Sequence, residues 1–420
     1  MKKPELLAPA GGAEALRTAV LYGADAVYLG GSQYGLRAKA RNFDRQQMQQ
    51  SILYAHEHGV RVYVTVNIIA HNEHLEGLEE YLRALQEDGA DALIIADAGI
   101  FRLARQTVPE MEIHLSTQAS ATNYRTFQFW QEQGAKRIVA ARELSLKELV
   151  EIREKTGEEL EIEAFVHGAM CISISGRCLL SNYMAARDAN LGACVHPCRW
   201  KYRLVEETRP GEYYPVLEEE EGTYFFNSKD LCMIAHIPEL VQAGISSLKI
   251  EGRMKTPLYV AMVTKVYREA LDDYLRCPAD YEAKKDYYLR MLSQVSHRGY
   301  NTGFYFGHPD HNSQVYDTSA YQKQMTFAAK VIRTEGEELV LEQRSKFSRG
   351  DTLYLLRPQG EPEAYFVNSI RAEDGTGQES ASHAQQKVRI TAPPRPVPEG
   401  CILMKPIEEQ ENGLAKQAEK

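Results

Sequence analysis

Residues 62–97, VYVTVNIIAHNEHLEGLEEYLRALQEDGADALIIAD, contain the unit that decides the fold. Val62–Asn67 (VYVTVN) is β-branched or apolar at nearly every position, as a strand covered on both faces must be. A helical pattern follows around Leu75–Glu87, and Ala92–Asp97 (ALIIAD) reads as a second strand. The same step recurs on either side. Upstream, Leu6–Ala10 leads into a helix over Gly12–Leu21, and Ala26–Gly30 into one near Arg45–His58. Downstream, a helix over Ile100–Gln106 separates Ala92–Asp97 from Glu112–Thr117, which a helix over Thr122–Gln133 follows. Arg137–Ala141 precedes a helix opened by Ser145, with Glu148 three residues on as a capping box. Glu161–His167 (EIEAFVH) is the seventh strand, and Ser247–Glu251 (SLKIE) the eighth, ahead of a long helix from Thr256 to Tyr274.

Strands alternating with helices predict an α/β fold with a parallel sheet, and eight strands close a (β/α)8 TIM-like barrel. An open doubly wound sheet is the alternative. It would favour a glycine fingerprint after the first strand, which Pro9-Ala10-Gly11-Gly12 does not provide. Barrels of this kind carry their sites at the C-terminal ends of the strands. Those ends bring polar groups to one mouth: Asn67, Gln118, Arg142, Glu143, His167, Glu251 and Arg253, with Lys255 just beyond. Asn67 and Asp97 serve equally well as loop caps.

Between strands seven and eight lies an insertion, residues 168–246, that begins with a cysteine-rich segment. Cys171, Cys178, Cys194 and Cys198 are four of the chain's seven cysteines and fall within 28 of its 420 residues. Their intervals of six, fifteen and three intervening residues leave three chemistries open. These are a cubane iron–sulfur cluster, a zinc site, whose thiolates more often come as two tight pairs, and free or redox thiols. The same segment is basic: Arg177, Arg187, Arg199, Lys201 and Arg203 oppose Asp188 alone, a local net of +4 in a chain of net charge −9. It is either a solvated face or a phosphate-binding patch. Tyr183 and Trp200 could stack on a base, or pack around the metal.

Hydrophobic and charged fractions of 44% and 25% are those of a soluble globular protein. The opening MKKPELLAPAGG has no signal-peptide core, and no stretch reaches the roughly 18 uncharged apolar residues of a membrane span. With unpaired-looking thiols, the expectation is a reducing cytoplasm and no membrane partner. The sequence divides into a barrel with its insertion (1–307), a linker (308–324), a small all-β barrel of short strand-like runs (325–407) and a tail (408–420). Asn227 to Asp230 is expected to cap a helix running to Ala243, with Cys232 inside it as a small buried hydrophobe. His71-Asn72-Glu73-His74 reads as a solvated loop rather than a metal pair. No G-x-S-x-G, H-E-x-x-H or Walker loop is present.

ELLAPAGG, ADAVYLGG, AKARNF, LSTQAS, VHGAMCISISGRCLLSNY, NSKDLCMI and SLKIEGRMKTPLYVA together resemble the collagenase-like peptidase family U-thirty-two, in its tRNA-uridine-hydroxylating branch. The resemblance covers nearly the whole chain. It implies prephenate-dependent conversion of wobble uridine to 5-hydroxyuridine, with tRNA, met at its anticodon loop, as partner. It also implies a 4Fe-4S cluster on Cys171, Cys178, Cys194 and Cys198, with Cys232 a bystander. An assembly with a second copy or a family paralogue belongs to the same expectation. Arg142, Arg253 and Lys255 are then candidates for holding the carboxylates of prephenate, a small dicarboxylate. Glu143, His167 and Glu251 complete the candidate catalytic set. Asn67, Gln118, Arg177, Tyr183, Arg199 and Trp200 complete the substrate-binding one. The alternatives are a peptidase true to the family name and a metal-stiffened RNA-binding module without catalysis. Peptide hydrolysis needs a nucleophile–base pair or a metal-bound water, and the sequence carries no signature of either.

Overall fold

The computed structural model describes residues 3–35, 42–170, 204–205, 213–214, 218–219, 222–223, 228–307 and 321–407. Eight parallel strands form the barrel: β1 (Glu5–Pro9), β2 (Ala26–Gly30), β3 (Arg61–Val66), β4 (Ala92–Ile95), β5 (Glu112–Leu115), β6 (Arg137–Val139), β7 (Glu161–Gly168) and β8 (Ser247–Ile250). Each pairs with its successor. β8 closes the ring by pairing with both β7 (Leu248 beside Ala164) and β1 (Leu248 beside Leu6). Helices follow the strands, among them α1 (Ala13–Leu21) and α2 (Arg45–Glu57), and later α3 (Leu78–Glu87), α4 (Ala98–Thr107), α5 (Tyr124–Glu132) and α6 (Leu146–Thr156). The Ser145–Glu148 capping box opens α6 as the sequence predicts.

Strand parity explains the barrel's composition. Leu6, Ala8, Val27, Leu29, Val62, Val64, Leu93, Ile95, Ile113, Ile138, Ile162 and Leu248 belong to the apolar layer under the helices. The alternate positions line the interior, where Leu7, Ala26, Tyr28, Tyr63, Ala92 and Ile94 form a separate cluster. Beside it the interior holds an ionic network. Glu5 pairs with Arg61 and with Arg137 at 2.6 Å, Arg137 with Glu161 at 2.5 Å and Glu163 at 3.1 Å, and Glu163 with Lys249 at 2.6 Å. Three carboxylates thus meet three cations, and Tyr63 and Ser247 donate further hydrogen bonds to Glu5. Desolvation at this depth is costly, and the network holds because each charge has an opposite neighbour. Burial alone would raise the Glu5 carboxyl, but the Arg137 charge and its hydrogen bonds outweigh burial and hold it at about 2.

The return from the insertion differs from the sequence expectation. Asp230–Cys232 is a short strand antiparallel to β7, pairing Leu231 with Gly168 and Cys232 with His167. The helix α7 (Ile237–Gln242) begins only afterwards, with Pro238 in its first turn. Backbone pairing to the C-terminal end of β7, past its last pairing with β6, outcompetes the helix cap that the asparagine–serine–lysine–aspartate run implied. The long helix α8 (Pro257–Arg276) then packs along α1.

Beyond it, residues 325–406 form an antiparallel eight-stranded sheet curled into a half-barrel around Ala329, Val331, Leu341, Leu353, Leu355, Ile390 and Leu403. It rests on the barrel: Leu356, Ile402 and Met404 join the barrel's apolar cluster. The Tyr22 hydroxyl, at the end of α1, donates to Leu356 O (2.7 Å) and accepts from Ile402 N (3.3 Å). Glu14 at the head of α1 pairs with Lys330 and Arg344. Among the described residues, no helix is long and apolar enough to cross a membrane.

Candidate active site

The loops leaving the C-terminal ends of the strands build the mouth. Arg253, three residues past β8, is only 5% exposed. It reaches across β1 and β2: its Nη1 donates to Thr65 Oγ1 on β3 and its Nη2 to Asn42 Oδ1, both at 3.2 Å. Glycine is required beneath it. A Cβ on Gly30 would collide with the guanidinium, and one on Gly11 with the Arg253 carbonyl. Glycines in ELLAPAGG and ADAVYLGG therefore make room for this arginine rather than for a dinucleotide. Tyr34, with a φ of 59°, covers the same sector, its carbonyl accepting from Asn67 N at 3.0 Å. Tyr81 lies under Tyr34, the ring centroids 5.0 Å apart.

Arg142 lies in a different sector. Its guanidinium sits 3.9 Å over the Phe165 ring, and its Nη1 donates to Ala169 O at 2.6 Å. Gln118 and Glu143 are its neighbours on the β5 and β6 loops, which are joined by Thr117 Oγ1 to Ala140 O and Ala141 N to Ala121 O. The two arginines thus serve opposite flanks of one mouth. Glu251 accepts from the Tyr28 hydroxyl at 3.2 Å. Lys255 donates to the Ser296 hydroxyl at 3.1 Å, its ammonium 4.0 Å over the Tyr321 ring. Met254, next to Lys255 in sequence, and Tyr321, under its ammonium, are exposed large hydrophobics.

His167 is not a ready base. It is buried among Tyr259, Tyr267 and Tyr300, with ring centroids 5.3–5.9 Å away. Burial, then the charges of Lys255 and His297, push its pKa down to about 3, so it is neutral at physiological pH. Its Nδ1 faces the Tyr267 hydroxyl at 3.5 Å, not a nucleophile. Cys232, beside it, is buried, and burial raises its thiol to about 12. His167 is thus too weak a base for proton abstraction near neutral pH, and Cys232 too weak an acid to act as an attacking thiolate.

Cys171, Cys178, Cys194 and Cys198 lie outside the described residues, as do Arg177, Tyr183, Arg199 and Trp200. What is described are the two flanks of their segment. Met170 follows β7, and Ser228 precedes the strand that pairs back onto β7. Both flanks are at the mouth. Among the described residues, no group of three or more histidine, cysteine or acidic side chains could hold a metal. His71 and His74 form a local turn, His74 Nδ1 accepting from His71 N.

The family model described as Peptidase family U32 matches residues 11–315, and that of the Peptidase family U32 C-terminal domain matches residues 323–403. The chain belongs to peptidase family U32. It is similar to tRNA hydroxylation protein P1 of Bacillus subtilis, 42% identical over 391 residues that span 93% of this chain and 92% of that protein. It is likewise similar to tRNA hydroxylation protein P of Escherichia coli, 40% identical over 402 residues, 86% of this chain and 87% of that protein. A 23S rRNA 5-hydroxycytidine synthase of Escherichia coli is 32% identical over 360 residues, 84% of this chain and 52% of that protein.

In this U32 barrel the residues that sequence reasoning missed are those that support others. Thr65 reads as an ordinary β-former, yet it holds Arg253. Ser120 has a φ of 55°, and nothing in its type announces that. The interior charges did leave a signal: Glu5, Arg137, Glu161, Glu163 and Lys249 are charged residues inside otherwise apolar strands.

Proposed function

We propose that this chain is a tRNA hydroxylase that converts wobble uridine to 5-hydroxyuridine with prephenate as co-substrate. The observation that carries the proposal is the near full-length relation, at 40–42% identity, to two proteins named for tRNA hydroxylation. The similarity to a 5-hydroxycytidine synthase supports the same reaction type, exchange of a pyrimidine C5–H for C5–OH. Arg253, fixed by Thr65 and Asn42, and Lys255 beyond it supply cations to one flank of the mouth, suited to the carboxylates of prephenate. The net +4 segment would meet anticodon phosphates, with Tyr183 or Trp200 available to stack on the base.

Cys171, Cys178, Cys194 and Cys198 would hold a 4Fe-4S cluster. Four thiols in 28 residues are the donor set that such a cluster takes, and both flanks of their segment start from the mouth. Bound there, the cluster would supply redox capacity beside the substrates. Cys232 stays outside the set, lying on the short strand paired to β7, with His167 as its partner.

The test is a nucleoside profile of tRNA from a strain lacking this chain. Loss of 5-hydroxyuridine and its derivatives, restored by the parent chain and not by Cys178→Ser, is the expected result. An unchanged profile, with cleavage of denatured collagen by the purified protein, would replace this reading with the hydrolase one.

A further inference from the structure

Both Nη groups of the Arg253 guanidinium are answered, by Thr65 and Asn42. The loops after β5 and β6 bring together polar atoms that are not. Gln118 Oε1, Ser120 Oγ, Arg142 Nε and Glu143 Oε2 are all buried, and none has a hydrogen-bond partner. Leaving a buried polar atom unanswered is costly, and four of the twelve such atoms among the described residues lie on these two adjoining loops.

The loops that carry them are rigid. The bonds from Thr117 to Ala140 (3.3 Å) and from Ala141 to Ala121 (3.2 Å) hold them together on both sides of Gln118 and Ser120. Ser120 is kept at a φ of 55°, a conformation that a serine holds at a cost and that concentrates at binding sites. Arg142 is immobilised between the Phe165 ring and Ala169 O, which fixes the direction of its Nε–H.

The chemistry of the four atoms selects the ligand. Arg142 Nε donates, the Glu143 and Gln118 oxygens accept, and the Ser120 hydroxyl does either. A carboxylate or phosphate carries only acceptors and would leave both oxygens unanswered, facing like charge at Glu143. An imide presents an acceptor on each side of a donor. We propose that the β5–β6 loops form a pocket that reads the Watson–Crick edge of uracil. Arg142 Nε–H and Ser120 Oγ–H bond the two carbonyls, and Gln118 or Glu143 accepts from N3–H. The remaining acceptor suits the ribose 2′-hydroxyl. Cytosine is disfavoured, because its N3 is a lone pair that would face an acceptor. This inference rests on the tRNA-hydroxylation reading and adds which residues choose the base. It leaves the Arg253 flank to the anionic co-substrate.

The test uses the purified full chain and two anticodon stem-loop RNAs that differ only in uridine or cytidine at the wobble position. The parent should bind the uridine RNA about tenfold more tightly, the discrimination expected when a hydrogen-bonding pair is replaced by a clash. Gln118→Ala with Glu143→Ala should bring the ratio near one, the uridine RNA losing its N3–H acceptor and the cytidine RNA losing the opposed lone pairs. The double variant should also melt no lower than the parent, since it removes unanswered buried acceptors. If it does not fold, Glu143→Gln, which places a donor where an acceptor stood, should lower the ratio in the same direction. Equal binding of the two RNAs by the parent, or a parental ratio in the variants, would overturn the inference and leave the hydroxylase reading standing. Failure to bind either RNA would contradict the hydroxylase reading itself.

Discussion

Arg253 owes its position to residues that carry no charge. Thr65 and Asn42 fix its guanidinium, and Gly11 and Gly30 leave it room. Arg253→Lys keeps the charge but loses the planar fork whose two Nη groups reach Thr65 and Asn42 separately. Prephenate should raise the melting temperature of the parent, by mass action on the folded state, and have little effect on the variant. Equal shifts in both would remove Arg253 from the anion site. The arginine itself is legible in the sequence because it follows a barrel strand. Its supports are not, since threonine in a strand and asparagine in a loop are what β propensity and loop composition already lead one to expect. The cysteines give a second test at this scale. Anaerobically purified parent and Cys232→Ser should each carry about four irons and four sulfides per chain, and Cys178→Ser should lose them. Stoichiometric zinc without sulfide would rule the cluster out.

Along the strands, side-chain parity governs both stability and its pH dependence. Glu5 is held at about 2 in the folded chain against an ordinary 4.5, so the unfolded chain takes up its proton first as pH falls. Its contribution, roughly 3 kcal/mol by that difference, is complete above pH 4.5 and is lost between there and about pH 2. Glu5→Gln should therefore be less stable than the parent at pH 7, with the two converging near pH 2. Denaturant unfolding across that range is the measurement, and a gap independent of pH would contradict the assignment. The strands themselves were legible because apolar residues dominate them even where Glu5, Arg137, Glu163 and Lys249 interrupt the inner face, and the eight of them implied closure. The segment from Asp230 to Cys232 was not. Three residues recruited by the free end of β7 leave no periodic signal, and a helix cap was the better local reading.

At the scale of the molecule, the half-barrel is bound to the side of the barrel through α1. The Tyr22 hydroxyl serves both Leu356 O and Ile402 N in a buried contact. Tyr22→Phe should lower stability by roughly 1–3 kcal/mol, since both groups lose their partner. A loss within a few tenths of a kcal/mol in urea unfolding would mean that water replaces the hydroxyl there. The change in texture near Met325 made this region legible in the sequence, but its seat against α1 was not, because tyrosine at a helix end reads as ordinary packing. The flanks of the mouth are also a property of the whole, set by loops from β3, β5, β6 and β8 that are far apart in sequence. The most direct measurement of the central claim is reconstitution. Cluster-loaded full chain, prephenate and an unmodified tRNA transcript should yield a uridine heavier by one oxygen at the wobble position, read by mass spectrometry of the digested RNA. An unmodified wobble uridine, from protein shown to carry its iron and sulfide and to bind the tRNA, would contradict it.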